Sequence, residues 1–460
     1  METLATLRSM VAGAVIGPDD PGFDEARAIW NGMIDRRPAA IVRAGSVGDI
    51  APTIEAARAL GLRIAVRGGG HNVAGNGTVD GGIVLDLGGL TAVDVDPERR
   101  VVRVEPGATL GHLDRATEPH GLAVPVGVIS GTGVAGLTLG GGIGWLTHAH
   151  GLAVDNLLEV ELVTADGSSV RASETENPAL FWGVRGGGGN FGVVSSFSFR
   201  AHPLGPDVYA GTLVSRPDHW AAALRGLETW SRGDVPDPIT VIATFMTPRP
   251  EFELGDEPVM LIGFAWASPD RAAGERVVDG LRAATAPDVE VIVPTTWAAW
   301  QSAADGLFPK GSRAYWKNTS FDRLDDATIE VIVRRGREQT WDGTGFDIHL
   351  MEGAFGRVSE DATPFVGRSA RYWLNIYGYW ADAADDAART AFVKGFAADM
   401  TPHATGAQYV NFLGQEGSGS EARASALAVY GPAKLERLIA LKRRYDPDNL
   451  FRLNHNIPTG

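Results

Sequence analysis

The spacing of hydrophobic residues along the chain changes near Pro203. Before this point, short apolar runs typical of strands alternate with short amphipathic stretches. Residues 46–60 have a capping pattern at their start and are followed by Gly61, so they are predicted to form a helix. The apolar residues 62–66 then predict a strand. This mixture predicts a first domain of α/β or α+β type over residues 1–203.

Beyond Pro203 the apolar residues alternate with polar ones, which is typical of antiparallel strands with one buried face. The strand-like runs are 209–215, 239–246, 259–267, 346–352 and 372–380. Helical stretches separate them, so we expect a second domain over residues 204–415, built as an antiparallel sheet backed by helices. A helical pattern that begins near Tyr430 ends at Asp446, before Pro447. The whole chain is therefore predicted to be α+β, with two domains.

Composition narrows the classes of function. The length of 460 residues favours two domains. The 56 acidic and 41 basic residues give a net charge of −15, which argues against a nucleic-acid-binding protein. The absence of cysteine from the sequence excludes disulfides, thiol nucleophiles and cysteine-bound metals. No apolar stretch approaches the ~18 residues of a membrane span, and the first residues lack a convincing cleavage site, so we expect a cytoplasmic protein without a membrane partner.

Glycine is unusually abundant, with 59 of the 460 residues. Three clusters, at 68–70, 131–144 and 186–192, fall within the first predicted domain. Backbone N–H groups in such loops form concave sites for anions such as a diphosphate. The alternative is that each cluster is an ordinary turn. Three clusters in one domain favour a large cofactor that carries phosphate.

The spacing of the glycines argues against common nucleotide folds. Residues 131–136 match G-x-G-x-x-G, but no long apolar strand precedes them and the segment after them is a poor helix, and the sequence contains no P-loop motif. His71 ends the first cluster, where a ligand contact is favoured over a buried structural histidine. His148 and His150 are too close in sequence for a metal pair on a helix, so we expect no metal site. Ser130 lacks the G-x-S-x-G pattern of a serine hydrolase.

Five sequence motifs together resemble one flavoprotein family. They are R-G-G-G-H at 67–71, the glycine-rich run at 125–146, H-G-L-A-V-D-N at 150–156, a second glycine run at 180–194 and a terminal segment at 445–457. In this order they resemble the berberine bridge enzyme-like flavoproteins of the vanillyl-alcohol oxidase/PCMH group, over nearly the whole chain. The resemblance implies a PCMH-type FAD-binding domain made from both chain ends. Residues 416–460 would return to it, and the middle of the chain would form the substrate domain.

The resemblance also assigns residues to the cofactor. The histidine of R-G-G-G-H, here His71, would be bonded to the 8α-methyl group of FAD. Many relatives carry a second bond from a cysteine, and Ile129 occupies that position here, so a single covalent link is implied. The residues expected around FAD are Arg67, Gly68, Gly69, Gly70, His71, Asn72, Gly75, Ile129, Gly131, Thr132, Gly136, Gly141, Gly142, Gly144, Gly192, Val194, Asn454 and Asn456.

The chain departs from the family where many relatives carry a catalytic base. Their base is the last tyrosine of Y-x-N-Y, and this position is Phe412 here. Tyr409 and Asn411 of the same motif remain candidates for catalysis. Glu352 and Tyr377, on predicted strands of the second domain, are further candidates for the base. The alternatives are that these side chains are structural, or that an amine substrate loses its hydride without a strong base.

These features predict an FAD-dependent oxidase that takes a hydride from a small organic substrate to flavin N5 and passes the electrons to O2. The many tryptophans and tyrosines of the second domain favour an aromatic, alkaloid or polyketide-like substrate, and a sugar is the alternative. Three other functions stay open. They are a flavin dehydrogenase with another acceptor, a flavin-scaffolded cyclase without net oxidation, and a non-enzymatic FAD-binding protein.

Overall fold

The computed structural model describes residues 2–205, 207–247, 257–341, 344–414 and 422–459. Its strands are β1 (Ala14–Ile16), β2 (Ala40–Arg43), β3 (Ile64–Arg67), β4 (Ile83–Asp86), β5 (Val93–Asp96), β6 (Val101–Val104), β7 (Leu122–Ala123), β8 (Leu157–Val163), β9 (Ser169–Ser173), β10 (Val193–Arg200), β11 (His202–Pro203), β12 (Asp207–Ser215), β13 (Ile239–Met246), β14 (Val259–Trp266), β15 (Val289–Val291), β16 (Thr295–Thr296), β17 (Arg313–Phe321), β18 (Gly345–Leu350) and β19 (Tyr372–Trp380). Its α-helices are α1 (Glu2–Met10), α2 (Phe23–Arg27), α3 (Ile50–Ala59), α4 (Leu110–Thr117), α5 (Val134–Gly140), α6 (Thr147–His150), α7 (Pro178–Val184), α8 (Trp220–Ser231), α9 (Arg271–Thr285), α10 (Trp297–Ser302), α11 (Asp326–Glu338), α12 (Ala354–Arg357), α13 (Asp386–Met400) and α14 (Ala422–Tyr445).

The first half of the chain builds two main sheets. In the small sheet the strand order is β1-β2-β4-β3, with β2, β4 and β3 parallel and β1 antiparallel. The other sheet is antiparallel, in the order β5-β6-β10-β8-β9. Because β3 ends at Arg67, the first glycine cluster leaves the small sheet at the carboxyl end of a parallel strand. Sheets of this kind usually bind their ligands at that edge.

The large sheet is formed by residues 207–380, and all its strand pairs are antiparallel. The strand order is β15-β12-β14-β13-β18-β19-β17, and β16 pairs with β12. Helices α8, α9, α11 and α13 cover one face, around buried residues that include Phe346, Leu374 and Ile376. Since side chains alternate along a strand, the residues between these point to the opposite face. The predicted α+β class, with an antiparallel sheet backed by helices, is confirmed.

Helix α14 returns to the first half of the chain. Its residue Leu438 belongs to the hydrophobic core that also contains α7 and the five-stranded sheet. The helix is kinked at Gly431, where φ is +69°, just before Pro432. The predicted domain boundary at 203–204 falls between β11 and β12, and the one at 415–416 lies outside the described residues. Within the described ranges, no helix is both long enough and apolar enough to cross a bilayer.

Most predicted elements are found close to their expected positions. The predicted helix at 46–60 begins with a capped 3-10 turn at Ser46 and continues as α3. The segment after Gly136, predicted to be a poor helix, is helical only as far as Gly140, where the short helix α5 (Val134–Gly140) ends. Val134 is buried in the core there, and the other apolar side chains of this short helix pack against the same core. The apolar contacts offset the low helical propensity of glycine.

Candidate active site

The first two glycine clusters pack directly against each other. A Cβ atom on Gly69 would lie 2.5 Å from the backbone nitrogen of Gly133, and one on Gly133 would lie 2.5 Å from that of Gly69. These distances are too short for any side chain, so both positions require glycine. Gly70 has a φ of +67°, a left-handed conformation that glycine adopts without strain. The chain thus turns sharply just before His71.

A continuous cavity runs from the three glycine clusters to the face of the large sheet that the helices leave uncovered. Aromatic side chains form the far wall, which we call the aromatic wall: Phe308, Trp316, Tyr377, Tyr379 and Phe412. Many of the predicted site residues line this cavity: Arg67, Gly68, Gly69, Gly70, His71, Asn72, Ile129, Thr132, Gly136, Gly192, Val194, Tyr377, Tyr409, Asn411 and Asn454.

The structure places the other predicted site residues outside this lining: Gly75, Gly131, Gly141, Gly142, Gly144, Glu352 and Asn456. Gly131 faces an adjoining opening. Gly144 packs so tightly that a Cβ atom would lie 1.9 Å from the carbonyl oxygen of Val126. Gly75 lies in a turn with a φ of +77° and packs against Ile34. Turns and close packing account for these glycines.

His71 stacks on Trp30. The two ring centroids are 4.8 Å apart, and the ring planes differ by 20°. The indole Nε1 of Trp30 donates a hydrogen bond to the carbonyl oxygen of Phe308 at 3.1 Å, which fixes the indole in turn. Burial lowers the pKa of His71 to about 4, so its imidazole is neutral near pH 7. A neutral imidazole has a free lone pair on one ring nitrogen and can act as a nucleophile.

Hydrogen bonds hold the Y-V-N-F segment rigidly against the second glycine cluster. The hydroxyl oxygen of Tyr409 accepts hydrogen bonds from the backbone nitrogen of Gly142 at 2.8 Å and from Nδ2 of Asn411 at 2.7 Å. The same Nδ2 donates to the carbonyl oxygen of Leu137 at 3.0 Å. Burial raises the pKa of Tyr409 to about 12, so its phenol stays protonated. Tyr409 and Asn411 support the loop, and Phe412 presents an inert ring to the cavity.

Tyr377 is the tyrosine of the aromatic wall that contacts an acidic group. Its hydroxyl donates a close hydrogen bond to Oδ2 of Asp347, and Nε2 of His349 lies 3.7 Å from the same oxygen. Burial, together with the charge of Asp347, raises the pKa of Tyr377 well above its usual range. Trp316 Nε1 and Tyr379 Oη are buried nearby, without a hydrogen-bond partner in the described part of the chain. This end of the cavity therefore offers polar atoms to a ligand.

Glu352 lies away from the cavity. It follows the end of β18, and its carboxylate pairs with Arg371 at 2.5 Å. Burial raises the pKa of Glu352, and Arg371 opposes this rise. Leu350, two residues earlier, packs in the core under the helices. The residues of β18 that face the cavity side are therefore Asp347 and His349, by the alternation of the strand.

The two histidines of T-H-A-H make contacts within the protein. Nδ1 of His148 lies 3.1 Å from the carbonyl oxygen of Asp237. The ring of His150 stacks on that of His202, with centroids 3.8 Å apart. Across the described ranges, no group of three or more His, Asp or Glu side chains is arranged to hold a metal ion.

The third glycine cluster is tied to residues near the end of the chain. Asn190 donates to the carbonyl oxygen of His455 at 3.1 Å and accepts from the backbone nitrogen of Ile457 at 3.1 Å. Nζ of Lys442 donates to the carbonyl oxygen of Asn190 at 2.9 Å and to Oδ2 of Asp446 at 2.6 Å. These contacts close one wall of the cavity.

The sequence reasoning missed several residues at this site. Trp30, which stacks on His71, and Phe308, which accepts its hydrogen bond, were not predicted, because these contacts depend on how distant segments fold together. Asp347 was also missed, although the pattern held a signal for it. Asp347 and His349 alternate with apolar residues in a buried strand, and an aspartate is rarely buried unless it is paired.

Comparisons with known proteins agree with this geometry. A family model described as "FAD binding domain" matches residues 38–173, and one described as "Berberine and berberine like" matches residues 409–458. The chain is 32% identical to (R)-6-hydroxynicotine oxidase of Paenarthrobacter nicotinovorans, and the alignment covers 97% of both chains. It is 29% identical to glucooligosaccharide oxidase of Sarocladium strictum, over 94% of this chain and 90% of that protein.

Solved structures show the same architecture. The crystal structure of 6-hydroxy-D-nicotine oxidase from Arthrobacter nicotinovorans matches with a TM-score of 0.86 at 30% identity, covering 98% of each chain. BBE-like 1 from Physcomitrella patens matches with a TM-score of 0.88 at 23% identity, covering 100% of this chain and 99% of that one. The second match supports the fold alone.

Proposed function

Because the chain belongs to the berberine bridge enzyme-like family of FAD-dependent oxidoreductases, we propose that it is an oxidase of a small organic molecule. We also propose that its FAD is attached through His71 alone. The predicted family, the PCMH-type fold and the FAD cofactor are confirmed. The observation that carries the proposal is the single cavity that joins the three glycine clusters to the aromatic wall.

The residues at the glycine end of the cavity suit a dinucleotide. The loops there present backbone N–H groups with no side chains in front of them. Nη2 of Arg67 donates to the carbonyl oxygen of Ala26 at 2.6 Å and to Asp86 at 2.8 Å. Nη1 of Arg67 is buried and finds no partner among the described residues. An unpaired guanidinium N–H at a ligand cavity suits a phosphate oxygen, and Asn72 and Asn454 add polar groups to the same lining.

His71 is suited to be the point of covalent attachment. Its neutral imidazole has a free ring nitrogen, and the stack on Trp30 holds the ring in one orientation. Ile129, which lines the same cavity, has no atom that can form the second bond found in many relatives. The lack of cysteine in the sequence leaves a single link.

The aromatic wall would bind the substrate. When bound, the flavin of FAD accepts a hydride from a carbon atom of the substrate. Trp316, Tyr377 and Tyr379 combine apolar faces with polar edges, which suits a ring that carries hydrogen-bonding groups. Arg67, paired with Asp86 at 2.8 Å, is the one arginine or lysine among the described lining residues. The proposal therefore favours an aromatic, alkaloid-like, polyketide-like or sugar substrate over a carboxylate.

We infer that O2 is the electron acceptor. The two relatives described above, one named for hydroxynicotine and one for a glucooligosaccharide, both carry the name oxidase. These names support O2 as the electron acceptor of this chain. They also support a substrate that contains either a nitrogen heterocycle or a sugar ring.

Anaerobic mixing with a compound panel tests the proposed function. The panel contains aromatic alcohols, oligosaccharides and cyclic tertiary amines, and the yellow absorption of the flavin is followed with time. At least one class should bleach the flavin, and addition of air should restore the colour within seconds. Protein mixed with buffer alone serves as the control. A flavin that no class bleaches would contradict the proposed substrate, and one that air recolours only over hours would contradict the oxidase.

A further inference from the structure

A short segment between α10 and β17 reaches across to the ring on which His71 stacks. The backbone nitrogen of Gly311 donates a hydrogen bond to the carbonyl oxygen of Trp30 at 2.8 Å, and the carbonyl oxygen of Phe308 accepts one from the indole of Trp30. The segment begins with a single 3-10 turn at Asp305–Leu307. These contacts hold Trp30, so the segment helps to fix the orientation of the imidazole of His71.

The same segment brings a carboxylate to the side of the cavity where His71 lies. Oδ1 of Asp305 accepts a hydrogen bond from the backbone nitrogen of Ser130 at 2.8 Å, and Oδ2 accepts one from Oγ of Ser130 at 2.5 Å. Both carboxylate oxygens act as acceptors, which suits a group that carries its negative charge. Asp305, Ser130 and His71 line one opening that adjoins the cavity. The two hydrogen bonds therefore hold a negative charge in a fixed position at this opening.

The charge of Asp305 is not balanced by a neighbouring cation. The charged side chains at the opening belong to Glu25, Arg43, Arg67, Asp86, Asp305 and Lys310. Asp86 pairs with Arg67 at 2.8 Å and lies 3.7 Å from Arg43, so these charges offset one another. Glu25 and Lys310 are exposed, so water screens their charges. The charge of Asp305 opposes the fall in the pKa of His71 that burial causes, so the carboxylate acts on this ring.

The formation of the covalent bond would place positive charge on the imidazole of His71. One ring nitrogen uses its lone pair to bond the 8α carbon of FAD, and that carbon loses a hydrogen as a proton to water. The other ring nitrogen then loses its own proton to water, and the ring is neutral again. Two electrons remain on the flavin until O2 removes them, together with two protons, as hydrogen peroxide.

We propose that Asp305 accelerates the attachment of FAD by stabilising the positive charge that develops on the imidazole of His71. This inference rests on the proposed attachment through His71, and it adds a residue from the second half of the chain. A fixed negative charge lowers the energy of a positive charge nearby, and it does so more strongly inside a protein than in water. The bond should therefore form faster in the presence of this carboxylate than in its absence.

The rate of attachment tests the role of Asp305. Apoprotein from riboflavin-starved cells is mixed with FAD in air, samples are precipitated with acid over time, and the absorbance of flavin in the pellet is measured. Asp305→Asn keeps an acceptor for Ser130 but removes the charge, so attachment should be slower by about tenfold or more. Asp305→Glu retains the charge, so its rate should stay within about threefold of that of the parent.

Two further measurements separate the charge from a structural role. Quenching of flavin fluorescence directly after mixing reports non-covalent binding, and the Kd of Asp305→Asn should agree with that of the parent within about threefold. A Kd that is weaker by about tenfold or more would assign Asp305 to the binding of FAD and overturn the proposal. Glu25→Gln, which changes an exposed carboxylate of the same opening, is the matched control and should attach FAD at the rate of the parent.

The outcomes separate the role of Asp305 from the attachment on which it rests. Equal rates for the parent and Asp305→Asn overturn the role of Asp305 and leave attachment through His71 intact. A rate for Asp305→Glu as low as that of Asp305→Asn also overturns it, because the charge would then have no effect. Flavin of the parent that never enters the pellet counts against the attachment and the role of Asp305 together.

Discussion

The imidazole of His71 stacks on the indole of Trp30, and this contact sets the orientation of the imidazole. The ring is neutral because burial lowers its pKa to about 4. His71→Ala removes the attachment point but leaves the three glycine clusters, so the variant should still bind FAD without a covalent bond. After acid precipitation, the flavin of the parent should be in the pellet and that of the variant in the supernatant, as measured by absorbance.

A second histidine variant checks that the effect is specific. His219 has a side chain that is 57% exposed and lies outside the cavity lining, so His219→Ala should keep its flavin in the pellet. Flavin found wholly in the supernatant of the parent would refute covalent attachment through His71.

Site residues that belong to one local motif could be predicted from the sequence. Site residues that come together only when distant strands pair could not. Arg67 and His71 lie within five positions of each other, and both line the cavity. Asp347 lies opposite Asn375 across β18 and β19, and its contact with Tyr377 exists only once those strands pair. Glu352 was a catalytic candidate, but it lies beyond the end of its strand and on the other side from the cavity.

Two helices from distant parts of the chain meet at a buried carboxylate. Asp114 on α4 accepts a hydrogen bond from Trp297 Nε1 at 2.9 Å and another from Gln301 Nε2 at 3.4 Å, both on α10. Burial raises the pKa of Asp114 to about 7, although these two hydrogen bonds oppose the rise. An aspartate in the unfolded chain titrates near pH ~4. The folded state therefore binds an extra proton between about pH 4 and pH 7, and the protein loses stability as the pH rises through this range.

Asp114→Asn should remove this pH dependence. The new amide keeps an acceptor for Trp297 and can donate to Gln301 Oε1, which has no partner among the described residues. Relative to the parent, the variant should be more stable at pH 8 than at pH 5, by about 1.4 kcal/mol for each pH unit between pH 5 and the raised pKa of Asp114. Urea unfolding at both pH values measures this. Equal changes at the two pH values would show that Asp114 is ionised throughout.

Helices and strands whose hydrophobic residues repeat regularly were predicted from the sequence. The elements and contacts that were not predicted have physical causes. The alternation in β19 and the capped start of α3 are local, so sequence alone identifies them. Helix α5 was missed because its glycines disfavour a helix, and burial of its apolar side chains outweighs that preference. The docking of α10 on α4 joins residues about 180 positions apart in sequence, and no local pattern encodes it.

Across the whole molecule, one buried ion pair holds the end of the chain in place. Lys442 and Asp446 are fully buried, and Nζ of Lys442 also donates to the carbonyl oxygens of Asn190 and Phe451 at 2.9 Å each. Lys442→Met leaves the buried carboxylate of Asp446 without its counter-ion and two carbonyl groups without the donor that Lys442 supplied. The variant should lose about 3–5 kcal/mol of unfolding free energy. It should also lose FAD readily on gel filtration, because the third glycine cluster is no longer held.

Arg444→Met is the matched control, since the side chain of Arg444 is exposed on the same helix. It should change the unfolding free energy by less than about 0.5 kcal/mol. A Lys442→Met protein that unfolds at the same urea concentration as the parent would show that the buried pair is dispensable.

The architecture of the molecule was predicted from motifs near both ends of the chain, and the strand order of its sheets was not. The motifs at 67–71 and 445–457 identify the family, and the family fixes the fold. The register that places Tyr377 beside Asp347 follows from long-range pairing within the large sheet. The substrate wall is consequently the part of the site that sequence reasoning described least well.

The closure of the third glycine cluster by Asn190 and residues 442–457 sets an order of events during synthesis. A chain emerging from the ribosome folds its first segments early. The wall that these contacts form is nevertheless missing until residue 457 has left the exit tunnel. We therefore expect a nascent chain to hold FAD only weakly until that segment has been released.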